Sequence, residues 1–307
     1  MMFNEDLKKR FIKERKEEVV LPHRYLECQF SKTSEMEIAL NKDISSFTYY
    51  EIVEYYKLLN LTSVNVITVM NSQFSMYTDW CLQQNLVKDG QNHFLEVKLS
   101  DFLDCLNKGY VSKKIITKET LYKRIEQLPN ARDAFVLLGL FEGLSGKESC
   151  ELVKLRPEDV NGNNLSLCTG RTIKVSDKLI ELIHACQEEQ QYISLTGHRL
   201  RVFPLAYTGY VLKDYPNVKS DSAFQGGRRI YNIVRRSLEY FDEKNVMTAN
   251  DIANSGKINM IKERSAALKM TFEEYIYSDY VQEIEEQFNC DIKKKAFILK
   301  YEDYLVS

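Results

Sequence analysis

Ile67, Met70, Phe74, Tyr77 and Cys81 recur at alternating steps of three and four residues. That spacing puts all five on one face of an α-helix but scatters them over both faces of a strand, so this stretch is read as a helix capped by Ser63 with its stripe in a core. Related patterns predict helices over 4–18, 47–60, 99–106, 117–127, 130–142, 176–190, 222–241, 248–269, 271–288 and 291–305. The first of these reads as solvated. Residues 164–168 and 172–175, parted by Thr169-Gly170-Arg171, read as a small β-hairpin. The expected fold is mainly α with a small β-hairpin or sheet. The longest apolar run, 134–141, has eight residues with Gly139 inside it. A bilayer span needs about 20, so no membrane association is expected. A charged N-terminus without an apolar stretch behind it predicts no secretory signal.

Seven cysteines, at 28, 81, 105, 150, 168, 186 and 290, include no C-x-x-C pair, and the four histidines lack metal-ligand spacing. Reduced thiols, no metal and no cofactor are therefore expected. The net charge of −2 hides a segregation. Windows 108–124 and 191–240 each carry +5, which leaves −12 on the rest of the chain. A polyanion responds to charge within roughly 10 Å and not to the chain average, so two basic windows on an acidic background point to nucleic acid. Stepping 100° per residue, Arg228, Arg229, Asn232, Arg235 and Arg236 share an arc of about 120°, opposite Ile230, Ile233, Val234, Leu238 and Phe241. Four guanidinium groups and an amide facing outward suit phosphates and base edges. Lys108, Lys113, Lys114 and Lys118 in the first window, and Arg171 and Lys174 in the hairpin, complete the candidate DNA contacts.

The chain divides on this reading into an N-terminal helical extension (1–44), a helical unit ending in a basic linker (45–128), and a second unit opened by Pro129 (129–307). This order resembles the tyrosine recombinase or phage integrase family over about residues 45–290. Residues 47–86, with Tyr77-Thr78-Asp79-Trp80 late in their long helix, look like its core-binding domain. The segment DAFVLLGLFEGLSGKESCELVKLRPEDV, residues 133–160, looks like the opening of its catalytic domain. There the family pattern runs apolar helix, Gly-Leu-Arg, two residues, Glu, Leu, then Leu and Asp. The resemblance implies a two-domain DNA clamp.

The same resemblance implies that the chemistry is gone. The family attacks a phosphodiester with tyrosine and holds the developing charge with two arginines, histidine and lysine. Here Gly143-Leu144-Ser145 replaces Gly-Leu-Arg, with Glu148 taken as the following glutamate. Thr248-Ala249-Asn250-Asp251-Ile252-Ala253-Asn254-Ser255 aligns with Thr-Pro-His-Asp-Leu-Arg-His-Thr, which puts Asn250 at the histidine and Ala253 at the second arginine. Tyr275, Tyr277 and Tyr280 lie where the nucleophile belongs. His198-Arg199-Leu200-Arg201 matches the H-x-L-R motif but follows Ser145 by only 53 residues. The family needs on the order of 100 there, so the match is set aside. Losing one oxyanion donor costs about 10²–10³ in rate, and several are missing together. No catalytic residues are expected. What remains resembles the inactive, integrase-like lysogeny repressors of SP-beta-like temperate phages. This implies a sequence-specific binder of double-stranded DNA in the bacterial cytoplasm, without recombinase activity. A divergent active recombinase and an accessory protein that binds one stay open as alternatives. Self-association through the apolar stripe of 291–305 and an unidentified regulatory protein or peptide complete the expected partners.

Overall fold

The computed structural model describes residues 2–15, 23–194, 200–216, 223–241 and 247–305. They form two compact units, Met1–Val111 with Leu299–Tyr301, and Ser112–Ile298 with Glu302–Ser307. The first contains α1 (Glu5–Glu14), α2 (His23–Leu40), α3 (Tyr49–Leu58), α4 (Val64–Gln83), α5 (Leu99–Asp104) and α6 (Lys108–Ser112). The stripe read from the sequence is the buried face of α4. Ser63 holds the cap position, but its hydroxyl bonds no first-turn amide. At α3 the Glu51 carboxylate reaches back 2.7 Å to the Thr48 N–H, the reciprocal half of a capping box.

Residues 2–15 and 23–40 are no extension. Phe11 of α1 and Phe30 of α2 both pack on Tyr77, with ring centroids 5.1 and 4.9 Å away. Lys8 of α1 donates to Glu37 of α2 at 2.5 Å with both side chains fully buried. Glu37 also accepts the Ile44 N–H at 2.8 Å. A buried ion pair persists only when its other lone pairs are satisfied, and here that need ties the first two helices to the turn leading into α3. The sequence reads charged α1 as solvated because its apolar face is only three residues wide, Leu7, Phe11 and Ile12.

The second unit opens with α7 (Lys118–Gln127), α8 (Ala131–Phe141) and α9 (Cys150–Val153), followed by β1 (Val160–Asn161), β2 (Asn164–Ser166) and β3 (Thr172–Lys174). These strands form an antiparallel sheet in the order β1-β2-β3, in which Leu165 faces Ile173. Next come α10 (Asp177–Glu188), the antiparallel pair β4 (Gln191–Ile193) and β5 (Val202–Pro204), and α11 (Ala223–Tyr240). The chain ends in α12 (Ala249–Leu268), α13 (Phe272–Tyr277), α14 (Val281–Phe288) and α15 (Lys294–Leu305). Buried on every side, α8 is the centre of this unit, and α7, α10, α11 and α12 pack around it. Leu121 and Ile125 of α7 belong to this core. The boundary therefore falls at 111/112, ahead of α7, and not at 128/129.

Two further differences have local causes. The helix expected over 271–288 breaks after Tyr277, where the Ser278 hydroxyl donates to Tyr275 O at 2.7 Å and accepts the Tyr280 N–H at 3.2 Å. Such short side-chain bonds compete with the helical ladder. Of the stripe of 291–305, Phe297 stacks on Phe272, Ile298 packs on the core of α12–α14, and Tyr301 is buried, while the side chains of Tyr304 and Leu305 lie outside the described part. No helix among the described residues is long and apolar enough to cross a membrane.

Candidate nucleic-acid interface

The basic arc of α11 is present but narrower than its sequence suggests. Ile230, Ile233, Val234 and Leu238 are buried, while Arg228 is exposed and Asn232, Arg235 and Arg236 are half-buried. Arg229 turns inward. Its guanidinium donates to Asp214 at 2.9 Å and to the carbonyls of Leu212 and Lys213 at 3.0 and 2.6 Å. Burial, with the like charge of Arg132, pulls its pKa down to about 10. On the helical wheel Arg229 is the arc's last member before Ile233, so a short rotation takes it from solvent into the core edge. Arg235 lies 3.7 Å from Glu239 one turn on.

The first basic window is also partly neutralised from within. Lys118 pairs with Glu263 of α12 at 2.9 Å, and Lys114 lies 3.8 Å from Asp251. Lys113 is exposed, and the side chain of Lys108 lies outside the described part. His198 and Arg199 of the set-aside motif also lie outside the described residues, whereas Arg201 is exposed.

Arg171, expected at a phosphate, is saturated by the protein itself. It donates to Glu151 through Nε at 2.7 Å, to Gly143 O at 2.7 Å, and to the carbonyls of Glu286 and Gln287 at 2.9 and 2.8 Å. It thereby ties the hairpin to the turn after α8 and to the carbonyl end of α14, where a cation is favoured. Lys174, on the same hairpin, is exposed.

Ser145 stands where the integrase pattern has its first arginine. Its N–H donates to Glu151 at 2.6 Å and its hydroxyl lies 3.4 Å from the same carboxylate. Burial pushes the Glu151 carboxyl up, but bonds from Arg171, Thr169 and Ser145 outweigh it and hold the group below its ordinary value. Glu151, not Glu148, is therefore the glutamate that braces this turn. The signal was in the sequence: only Glu151 is followed by the leucine the pattern demands. Glu148 and Ser149 instead adopt left-handed backbone at φ 55°, and the Glu148 carboxylate lies against Gly227 of α11.

Asn250 is exposed and Ala253 half-buried in the first two turns of α12. Of the three tyrosines, Tyr275 is fully buried and donates to Tyr280 O at 3.0 Å, whereas Tyr277 and Tyr280 are 53% and 56% exposed. Sequence reasoning missed a buried polar cluster. Arg132 lies under the rings of Tyr192 and Tyr215, at 5.0 and 5.8 Å. Asp133 beside it takes the Asn130 amide at 3.0 Å. Between Pro129 and the apolar run, the pair Arg132-Asp133 was the available signal.

A helical first unit and a helical second unit interrupted by a hairpin, with the Ser145 turn braced by Glu151, define an integrase-like, tyrosine-recombinase-related protein. More narrowly, the chain belongs to the MrpR family: the model of the MrpR N-terminal core-binding domain matches residues 2–83, and that of the MrpR C-terminal catalytic domain matches residues 115–306. It is 27% identical over 319 aligned positions, 99% of this chain and 94% of the relative, to the SPbeta prophage-derived uncharacterized protein YopR of Bacillus subtilis strain 168. Among solved structures, XerA recombinase covers 98% of both chains at 9% identity and a TM-score of 0.36.

Proposed function

We propose that this protein is a phage repressor: it binds double-stranded DNA sequence-specifically in the bacterial cytoplasm and does not recombine it. The reading rests above all on the Ser145 turn. A recombinase needs a guanidinium there for the transition-state charge, and this chain offers an amide and a hydroxyl already directed at Glu151. Arg171, the nearest guanidinium, is committed to protein carbonyls and carboxylate. Asn250 and Ala253 supply no cation in α12. The prophage origin of the YopR relative supports a phage role.

The proposed DNA contacts are Arg228, Asn232, Arg235 and Arg236 of α11, with Lys113 and Lys174, all of them within residues 112–298. Arg171, Arg229, Lys114 and Lys118 are assigned to holding the second unit together. On operator DNA, log K should fall with log salt by about 0.9 per phosphate contacted. Replacing Arg228 and Arg236 by alanine should weaken binding by about 1–3 kcal/mol for each specific contact, with the helical fold retained by circular dichroism. Wild-type affinity in that double variant would refute the assignment. A covalent protein–DNA adduct on a nicked suicide substrate, abolished by Phe at Tyr277 or Tyr280, would restore the recombinase.

A further inference from the structure

The hairpin and the turn before α9 bring two free cysteines together. Cys168 is exposed at the tip of the β2–β3 hairpin, and Cys150 is half-buried at the start of α9. Their neighbours fix the approach: the hydroxyl of Thr169 donates to Glu151 at 2.6 Å, and Arg171 closes on the same carboxylate at 2.7 Å. Residues 168–169 therefore lie alongside 150–151, close enough that Cys150 perturbs the Cys168 thiol. The other five cysteines offer no equivalent: Cys81, Cys105 and Cys186 are buried, while Cys28 belongs to the first unit and Cys290 comes after α14.

We propose that Cys150 and Cys168 form a peroxide-oxidisable dithiol whose disulfide staples the hairpin to α9. Burial, with Cys150 next to it, raises the Cys168 thiol to about 11, so Cys168 keeps its proton and Cys150 is the sulfur that attacks. The Cys150 sulfur, giving up its proton, displaces water from hydrogen peroxide by breaking the O–O bond and becomes a sulfenic acid. The Cys168 sulfur then attacks the Cys150 sulfur, the S–O bond breaks, and the hydroxyl leaves with the Cys168 proton as a second water. Two thiols and one peroxide give one disulfide and two waters. The inference is independent of DNA binding. The staple lies over the carboxylate that braces Ser145 and Arg171, so it would add a covalent tie to the same junction.

The full-length protein treated with hydrogen peroxide, alkylated and digested should yield a linked peptide pair spanning Cys150 and Cys168, two hydrogens lighter, which dithiothreitol separates. Cleavage after Lys154 keeps the two cysteines on different peptides, so the link is read directly. C168S should accumulate a dimedone-reactive sulfenic acid at Cys150, whereas C150S should yield neither the link nor a sulfenic acid at Cys168. The oxidised protein should melt several degrees higher than the reduced one, because a bond that fits the native geometry constrains the unfolded chain. Intermolecular links through Cys28 with both thiols still alkylated, sulfenic acid at Cys168 in C150S, or a lower melting temperature on oxidation would each overturn the proposal.

Discussion

Arg171 reaches three segments from one side chain: the turn at Gly143, the carboxylate of Glu151, and the last carbonyls of α14. Removing it strands a fully buried Glu151 with only the Thr169 hydroxyl and the Ser145 amide and hydroxyl. Because an uncompensated buried charge costs about 3–5 kcal/mol, R171A should lower urea-unfolding stability by that order. A loss below about 1 kcal/mol would show that the junction does not depend on it. Asp133 has the opposite sign. Burial lifts its carboxyl from 3.8 to about 6, so the folded chain holds a proton that the unfolded chain releases between those values. Its contribution to stability thus declines as pH rises from about 4 to about 6 and stays low above that range, a change on the order of 2–3 kcal/mol. D133N should remove this slope, and at pH 8 it should be no less stable than wild type, since the amide can still accept from Asn130. A D133N protein with an unchanged pH profile would contradict the assignment. Neither role was legible in the sequence. Residue type tells that a guanidinium seeks oxygen, but not whether the oxygens belong to phosphate or to the chain's own carbonyls, and for Arg171 and Arg229 it was the latter.

Helices were more legible than the contacts between them. Periodicity placed α4, α8, α10, α11 and α12 within a few residues, because a 3.6-residue repeat of apolar side chains is a local property. Which helix face tolerates a close neighbour is not local. At Gly256 in α12 a Cβ would stand 1.7 Å from Phe141 O and 2.7 Å from its carbonyl carbon, so α12 crosses the end of α8 backbone against backbone. At Gly226 in α11 a Cβ would stand 2.9 Å from Glu148 O, a milder conflict. Alanine in a helix interior normally gains up to about 1 kcal/mol over glycine. At Gly256 that gain should be overwhelmed, because backbone cannot yield as a side-chain tip does, and G256A should cost at least about 2–3 kcal/mol. At Gly226 the neighbouring atom is also backbone, so G226A should destabilise as well, but by less than G256A. Equal urea midpoints for the two variants would refute the close crossing of α8 and α12.

At the scale of the whole molecule, the two-unit plan and the basic connector at 109–114 were readable, but the sequence sets the cut too late. A pattern of Leu121, Tyr122 and Ile125 says that α7 has an apolar face and says nothing about which core receives it. The structure places Ile116, Leu121, Ile125 and Leu128 in the core built around α8. The Ile116 N–H also donates to the buried Ser255 hydroxyl of α12 at 3.1 Å. A fragment of residues 112–307 keeps these contacts, whereas one of residues 129–307 exposes the side of α8 that α7 covers. Fully burying such a side chain is worth about 1.5–3 kcal/mol, and four are lost together. Against a total stability of about 5–15 kcal/mol, the shorter fragment should be unfolded or molten, with far-UV helical signal but no cooperative melt. The longer one should melt cooperatively. Both fragments lose the first unit and end alike, so the comparison isolates residues 112–128. A cooperative transition of equal midpoint in both would move the boundary back to 128/129 and return α7 to the first unit.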